Sequence, residues 1–171
     1  MPGIFFARNS GYYSQMKNIK RILLASHGTD GALEAEKEAL ALAAEGGQIH
    51  HLIVVPDFWK GMMGDDWLNN SSTRDDYGDY VESQLEAEIH QQVEKLKKAA
   101  AKKKIRYDFK VVVGKPGTVL LDAAAEDKCD IVIIGSPRPK GKKGLRSRMD
   151  LDLIARDLQV PLLIVPYPAA S

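Results

Sequence analysis

The residues best suited to binding a charged ligand form a basic loop near the carboxyl end of the chain. The loop contains six cations: Arg138, Lys140, Lys142, Lys143, Arg146 and Arg148. Arginine can grip a phosphate through two parallel N–H groups, so these residues suit a small anionic ligand. Lysine-rich loops are also commonly solvated surfaces, and no aromatic residue alternates with these charges to stack on bases. The pattern therefore argues against nucleic acid as the partner.

A second candidate is the hexapeptide from Ser26 to Gly31, which reads Ser-His-Gly-Thr-Asp-Gly. It follows an apolar run and precedes a helical pattern, and backbone amides at the start of a helix can bind phosphate. The hexapeptide partly resembles the SGGxDS loop of ATP pyrophosphatases, which would make the chain an ATP-cleaving enzyme. It lacks the second glycine and the final serine of that loop. The simpler interpretation is a turn in which Thr29 or Asp30 caps the helix.

The histidines and carboxylates do not predict a metal site or a catalytic set. His50 and His51 are neighbours in a predicted strand, so their side chains point to opposite faces and cannot share a metal. Glu86, His90 and Glu94 share a helix face, but they lie beside an apolar stripe and are expected to form a solvated surface. Since the spacing gives no Ser-His-Asp, Cys-His or paired-carboxylate set, no catalytic residue is assigned and the chain is expected not to be an enzyme.

The overall composition narrows the class of protein. The 24 lysine and arginine residues balance 23 aspartate and glutamate residues, so no net field attracts the 171-residue chain to nucleic acid or a membrane. The single cysteine, Cys129, excludes an internal disulfide and is expected to be a small packing residue. No apolar run reaches the ~20 residues of a membrane span, and residues 1–15 lack a signal-peptide core. We therefore expect a cytoplasmic protein with no membrane partner.

Strands and helices alternate along the chain. Apolar runs predict strands over residues 21–26, 49–55, 107–113, 131–134 and 162–165. Helical periodicity predicts helices over residues 32–45, 80–104 and 118–127, and a short helix near residues 151–158. This order predicts a single-domain α/β fold with an open, parallel, five-stranded sheet and helices on both faces. A ligand is expected beyond the carboxyl ends of the strands, where the loops after Ser26, Val55, Val113 and Ile134 meet.

Two segments fall outside this pattern. Residues 1–16 are interpreted as a loose amino-terminal extension ahead of a domain over residues 17–171; alternatively, Ile4, Phe5 and Phe6 dock on a partner or on the domain itself. Residues 57–76 form a long connection that contains Trp59 and Trp67. Connections of this length are commonly functional, and this one is compatible with a lid or with a partner-binding surface.

The segment Cys129–Val165 resembles the carboxyl end of a universal stress protein. Its features are a strand ending in Ile-Gly-Ser, a loop with glycine and arginine, a short helix, and the run Val-Pro-Leu-Leu-Ile-Val. Residues 20–29 and the turn Val113-Gly-Lys-Pro-Gly117 are also similar, so the resemblance covers nearly the whole chain from Lys17 onward. It implies a Rossmann-like, adenine nucleotide alpha hydrolase-like fold and a role in stress response.

The resemblance also implies where a nucleotide would bind. The family's loop has a glycine, two residues, a second glycine, nine residues, a third glycine and then a hydroxyl residue. When this pattern is aligned with the chain without gaps, its four defined positions are occupied, in order, by Gly135, Arg138, Arg148 and Met149. An aspartate that the family has after strand one is His27 here. The candidate nucleotide or anion site is completed by residues on the neighbouring loops, so that its members are Ala25, His27, Gly28, Val55, Gly135, Arg138, Arg148 and Met149.

Three of the four motif positions depart from the family's pattern. Glycines allow the backbone to approach phosphates closely, whereas arginine side chains put bulk into the same space. We therefore expect a degenerate site without ordinary ATP binding and predict no certain cofactor. Three classes stay open: a dimeric regulator without nucleotide, a sensor of ATP, AMP or another anion that uses the basic 138–148 loop, and an ATP pyrophosphatase-like enzyme.

The resemblance implies a homodimer whose contact is the last strand: Leu162, Leu163, Ile164 and Val165. The sequence permits this, because a short apolar strand at a sheet edge presents unpaired backbone groups that a second copy can satisfy.

Overall fold

The computed structural model describes residues 4–6, 19–26, 30–56, 71–141 and 149–168. Within these ranges the strands are β1 (Ile4–Phe6), β2 (Ile19–Ala25), β3 (Ala43–Pro56), β4 (Arg106–Gly114), β5 (Ile131–Gly135) and β6 (Leu162–Val165). The helices are α1 (Asp30–Leu42), α2 (Ser71–Lys102), α3 (Pro116–Asp127) and α4 (Leu151–Asp157).

The strands form one parallel sheet in the order β1-β6-β5-β2-β3-β4. The chain builds β2, β3 and β4 in one direction, then returns to the other side of β2 to add β5 and β6. The strand order therefore reverses between β2 and β5, which is where open α/β sheets bind ligands. The predicted α/β fold, with its parallel sheet and helices on both faces, is confirmed.

Two hydrophobic clusters cover the two faces of the sheet. One cluster contains residues of α1 and α2, and the other contains residues of α3 and α4 together with Cys129. Successive residues of β5 alternate between them: Ile131 and Ile133 join the first, and Val132 and Ile134 join the second. This explains why the strand is an unbroken apolar run, since both of its faces are covered by helices.

Two helix boundaries differ from the sequence prediction by three residues or more, at the end of α1 and at the start of α2. Helix α1 ends at Leu42 because Ala43 already pairs with Ile19 of β2, and the register shifts before Gln48 pairs with Arg21. Within that shift Gly46 adopts φ +79° and donates its N–H to the carbonyl of Lys104 at 2.9 Å. Helix α2 begins at residue 71, so residues 71–76 of the predicted connection are helical, whereas residues 57–70 lie outside the described residues.

The sequence permitted a dimer contact at residues 162–165 on the condition that they form the edge of the sheet, and this condition is not met. The three residues Ile4–Phe6 pair in parallel with Leu162–Ile164, so the outer edge of β6 is already occupied by the chain itself. For these three residues the structure agrees with the alternative of docking on the domain; the rest of residues 1–16 lies outside the described residues. The side chains of Leu163 and Val165 are also buried, in the core cluster beneath α1 and α2.

The opposite edge of the sheet is β4. Three of its apolar side chains, Phe109, Val111 and Val113, are about half exposed. Arg106, Asp108 and Lys110 alternate with them, and charges of this kind discourage an edge strand from pairing with other chains. None of the helices in the described ranges combines the length and the apolar character that a membrane crossing requires.

Candidate functional site

At the strand reversal between β2 and β5, where a ligand crevice is expected, helix α1 comes very close to β5. A Cβ atom placed on Gly135 would lie 2.2 Å from the carbonyl carbon and oxygen of Gly31 and 2.6 Å from the nitrogen of Ala32. Only glycine fits there without moving backbone atoms. The end of β5 and the first turn of α1 therefore meet at the point of strand reversal, where the sequence predicted a site.

The same contact continues on the other side of Gly31. A Cβ atom there would lie 2.5 Å from the carbonyl oxygen of Ser136 and 3.5 Å from the Tyr167 ring. The backbone N–H of Ser136 donates to the carbonyl of Val165 at 2.8 Å, which fixes the start of the basic loop beside β6. Tyr167 thus lies beside the crevice, and sequence reasoning missed it because a lone tyrosine after a strand carries no motif.

The turn after β4 borders the segment that carries Met149. A Cβ atom on Gly117 would lie 3.3 Å from the Leu153 side chain and 3.5 Å from that of Asp150. Asp150 caps α4, since its Oδ1 accepts a hydrogen bond from the N–H of Leu153 at 3.0 Å. The turn that the sequence singled out, residues 113–117, therefore packs against the start of α4.

The predicted site residues fall into three groups. Ala25 and Gly135 lie at the carboxyl ends of neighbouring strands, because Ala25 pairs with Ile134. Val55 lies on β3 beyond the end of β2, since Ala25 pairs with Leu52. Arg138 follows in the basic loop and is partly exposed, and Met149 packs against the α3/α4 cluster.

His27, Gly28 and Arg148 lie outside the described residues. In the described part of the chain, no three histidine, cysteine or acidic side chains are grouped closely enough to hold a metal ion.

A buried polar network, which the sequence did not predict, lies directly beneath the end of β2. The Ser26 Oγ atom is 2.6 Å from Nε2 of His51 and 2.7 Å from Oε1 of Glu36. On the far side of the imidazole, Nδ1 of His51 is 2.6 Å from the Tyr107 hydroxyl. Gln92 of α2 donates to Ser26 Oγ at 3.0 Å and also to Glu36 Oε1. These five residues, the buried polar network, join β2, α1, β3, β4 and α2.

Burial sets the protonation of this network. Burial raises the pKa of the Glu36 carboxyl, while hydrogen bonds from Gln92 and Ser26 and the charge of Lys95 oppose the shift. Burial lowers the pKa of His51 to about 4, so the imidazole is neutral at physiological pH. Burial also raises the pKa of the Tyr107 hydroxyl, as do the charges of Glu36 and Asp108.

The Ser26–His51 contact has the geometry of a nucleophile and a general base. Both residues are enclosed, however: Ser26 is 3% exposed and His51 is 1% exposed. A substrate cannot reach Ser26 Oγ, and an imidazole with a pKa of about 4 is a poor base at neutral pH. The one sequence signal for this network is a histidine within the apolar run of β3, at the position next to His50.

His50 lies on the opposite face of the sheet, which confirms the prediction for the two adjacent histidines. Its Nδ1 contacts Oδ1 of Asp108 on β4, and the side-chain amide of Gln48 donates to Oδ2 of the same carboxylate at 2.7 Å. This partly exposed cluster supports the pairing of β3 with β4 and does not contribute to the crevice.

Solved structures with the same fold include universal stress proteins. The hypothetical protein MJ0577 is 19% identical over 89% of this chain and 99% of its own, with a TM-score of 0.66. A universal stress protein family protein from Arabidopsis thaliana, At3g01520, solved with AMP bound, is 12% identical over 88% of this chain and 93% of its own, with a TM-score of 0.58. A universal stress protein in complex with cAMP is 16% identical over 89% of this chain and 100% of its own, with a TM-score of 0.54.

At these identities the structural similarity shows the fold. A comparison of the sequence with curated proteins gives no significant match. The family model described as the universal stress protein family matches residues 18–166, which include five of the six strands and all four helices described above. The chain therefore belongs to the universal stress protein family.

Proposed function

We propose that this chain is a non-catalytic regulatory protein that acts as a cytoplasmic homodimer and does not hold ATP in the way that nucleotide-binding members of its family do. The observation that carries the proposal is the environment of Met149. This residue stands where the family's loop has a hydroxyl, and it packs against the apolar α3/α4 cluster. A thioether is at most a weak acceptor and has no proton to donate to a phosphate.

The one glycine that the loop retains does not argue for a phosphate site. Gly135 is needed because backbone atoms of Gly31 occupy the space where its Cβ would lie. Its presence therefore has a packing cause that is independent of any ligand. At the second glycine position stands Arg138, which is partly exposed and carries a bulky side chain where the family has none.

The enclosure of Ser26 and His51 supports a non-catalytic role. They form the one nucleophile–base contact that we identify among the described residues, and it lies between the sheet and helices α1 and α2. A role in binding requires only the crevice and its loops.

The second candidate is a sensor of a small anionic ligand, such as a nucleoside monophosphate, bound through the basic 138–148 loop. Two observations favour it: one protein of similar fold was solved with AMP and another with cAMP. In this chain the loop begins at the crevice, where the backbone of Ser136 is fixed beside β6. Arginine can replace backbone amides as the group that grips a phosphate.

Calorimetric titration of the purified protein with ATP and with AMP, with and without magnesium, separates these functions when phosphate and pyrophosphate release are assayed in the same samples. The expected result is no ATP binding and no turnover. Binding of AMP without turnover would establish the sensor, and ATP cleavage would establish the pyrophosphatase-like enzyme and end the non-catalytic proposal.

The double variant Arg138→Gly, Arg148→Gly tests the motif argument. If the two arginines occupy the phosphate site, this variant gains ATP affinity of at least tenfold over the wild type. The matched control is Lys140→Gly, which removes an exposed cation from the same loop and is expected to gain none. ATP binding by the wild type, with no gain in the double variant, would contradict the proposal.

A further inference from the structure

The buried polar network is a continuous chain of hydrogen bonds whose direction is fixed by one proton. An ionised Glu36 can only accept, so the Ser26 hydroxyl must donate its proton to Oε1. Ser26 Oγ then accepts from His51, which places the imidazole proton on Nε2. Nδ1 is left as an acceptor, and the Tyr107 hydroxyl donates to it.

A proton on Glu36 reverses each of these bonds. The carboxylic acid donates to Ser26, Ser26 donates to Nε2 of His51, and the imidazole carries its proton on Nδ1 and donates to the Tyr107 oxygen. His51 stays neutral in both states, but its tautomer changes. The two states differ by one proton in total.

The protons balance when that proton enters at the Tyr107 end. A solvent proton binds the tyrosine oxygen while the original hydroxyl proton passes to Nδ1 of His51. The Nε2 proton passes to Ser26 Oγ, and the Ser26 proton passes to Glu36. Tyr107 lies on the edge strand β4 and is partly exposed, whereas Glu36 at the other end is buried, as are Ser26 and His51. The hydroxyl end is therefore the accessible end.

We propose that Tyr107, His51, Ser26 and Glu36 form a proton relay in which protonation of Glu36 reverses the three hydrogen bonds between them and switches the His51 tautomer beneath the end of β2. The relay does not depend on the proposed function, because it requires no ligand. Ser26 directly follows β2, and both Glu36 and His51 contact its hydroxyl, so they are positioning residues for the carboxyl end of this strand.

The groups that face the relay come from three elements, α1, α2 and β4. Glu36 also lines a cavity of about 290 Å³ between α1 and α2, together with Glu34, Lys37 and Lys95. Of these, the charge of Lys95 opposes the rise in the pKa of Glu36 that burial causes. On β4, Asp108 acts on Tyr107, and Gln92 of α2 holds both Ser26 and Glu36. The balance favours uptake of a proton by Glu36 at a pH above that of an ordinary glutamate.

The test is a titration of the full-length protein, labelled with ¹⁵N at histidine and ¹³C at glutamate carboxyls, from pH 8 to pH 4.5 by NMR. The expected result is a neutral His51 with its proton on Nε2 at high pH that moves to Nδ1 at the pH where Glu36 titrates. A single tautomer across the range, or a doubly protonated ring at that pH, would overturn the relay. This titration uses the wild-type protein, so its result does not depend on whether a variant folds.

Variants identify the proton that drives the switch. Glu36→Gln cannot take up a proton, so the tautomer is expected to lose its pH dependence. The matched control is Glu38→Gln on the same helix: burial also raises the pKa of the Glu38 carboxyl, but this residue is not part of the network, so the switch is retained. Tyr107→Phe removes the acceptor for the Nδ1 proton and is expected to move the switch to lower pH. A switch that persists in Glu36→Gln would refute the assignment.

Discussion

His51 illustrates how one buried side chain can make stability depend on pH. In the unfolded chain an imidazole takes up a proton near pH 6.5, whereas burial lowers the pKa of His51 to about 4. Between these values the unfolded state binds more protons, so the free energy of unfolding falls as pH falls from 6.5 towards 4. Glu36 has the opposite effect: because its pKa is raised, its contribution to stability declines as pH rises above 4.5.

We predict that His51→Asn flattens the part of this pH dependence that His51 causes. The difference in unfolding free energy between wild type and variant should shrink by about 3 kcal/mol from pH 7 to pH 4, since each pKa unit corresponds to about 1.4 kcal/mol. Urea unfolding of both proteins at a series of pH values measures this difference in unfolding free energy. The control is His90→Gln, on the exposed side of α2, which should parallel the wild type. If the difference in unfolding free energy does not change with pH, the pKa of His51 is the same in the folded and unfolded states and the prediction is wrong.

Helix α1 and strand β5 approach each other closely where the strand order reverses. It depends on two glycines, Gly31 and Gly135, neither of which could carry a Cβ without displacing backbone atoms. The helix therefore lies against the strand at a distance that other residues would prevent. This contact fixes where the loops after β2 and β5 emerge.

We predict that Gly135→Ala lowers the unfolding free energy by about 1–3 kcal/mol, the usual cost of overpacking a tight site. The new Cβ would lie 2.2 Å from backbone atoms of Gly31, so helix α1 must shift away from β5. Thermal unfolding measures the loss. Ser136→Ala, which adds no bulk in the neighbouring position, serves as the control. Equal stability of Gly135→Ala and the wild type would mean that α1 moves at no cost.

Elements with strong apolar patterns could be predicted from the sequence, and those held by tertiary contacts could not. Residues 131–134 and 162–165 are apolar on both faces, and the structure places strands there. Residues 71–79 of α2 were missed because the apolar stripe starts only at Val81, although the helix begins at residue 71. Strand β1 is three residues long and pairs with a segment more than 150 positions away, so no local sequence pattern predicts it.

The candidate site was predictable in its location and not in its contacts. The alternation of strands and helices along the chain is enough to place Ala25 and Gly135 at the same end of the sheet, because parallel strands have their carboxyl ends on one side. The buried polar network joins residues on five different elements, and its members are separated by apolar sequence. A pairing such as Ser26 with Tyr107 through His51 depends on the register of three strands, which no spacing in the sequence reveals.

At the scale of the whole molecule, the position of β1 bears on how two copies could associate. The homodimer contact that the family resemblance implies is β6, and in the structure β1 occupies the outer edge of that strand. A charged substitution at Leu163 would not probe the interface alone, because that side chain is 1% exposed and would disrupt the core. The informative change is one that releases β1 and leaves β6 intact.

We predict that Phe5→Pro raises the fraction of dimer severalfold over the wild type at equal concentration, as measured by sedimentation velocity. Proline lacks the backbone N–H and disfavours strand pairing, so the edge of β6 becomes free for a second copy. Phe5→Leu retains the N–H and should behave as the wild type. An unchanged dimer fraction in Phe5→Pro would place any dimer contact elsewhere, with the open edge of β4 as the next surface to examine.

The pairing of β1 with β6 also has a consequence for the order of events during synthesis. The ribosome makes residues 4–6 well before their partners at 162–164, because most of the domain lies between them in the sequence. Translation of nearly the whole domain must therefore precede closure of this edge, while β2, β3 and β4 can already assemble. Until β6 is made, residues 4–6 lack their partner strand and can contact other proteins. They pair with β6 only after its synthesis.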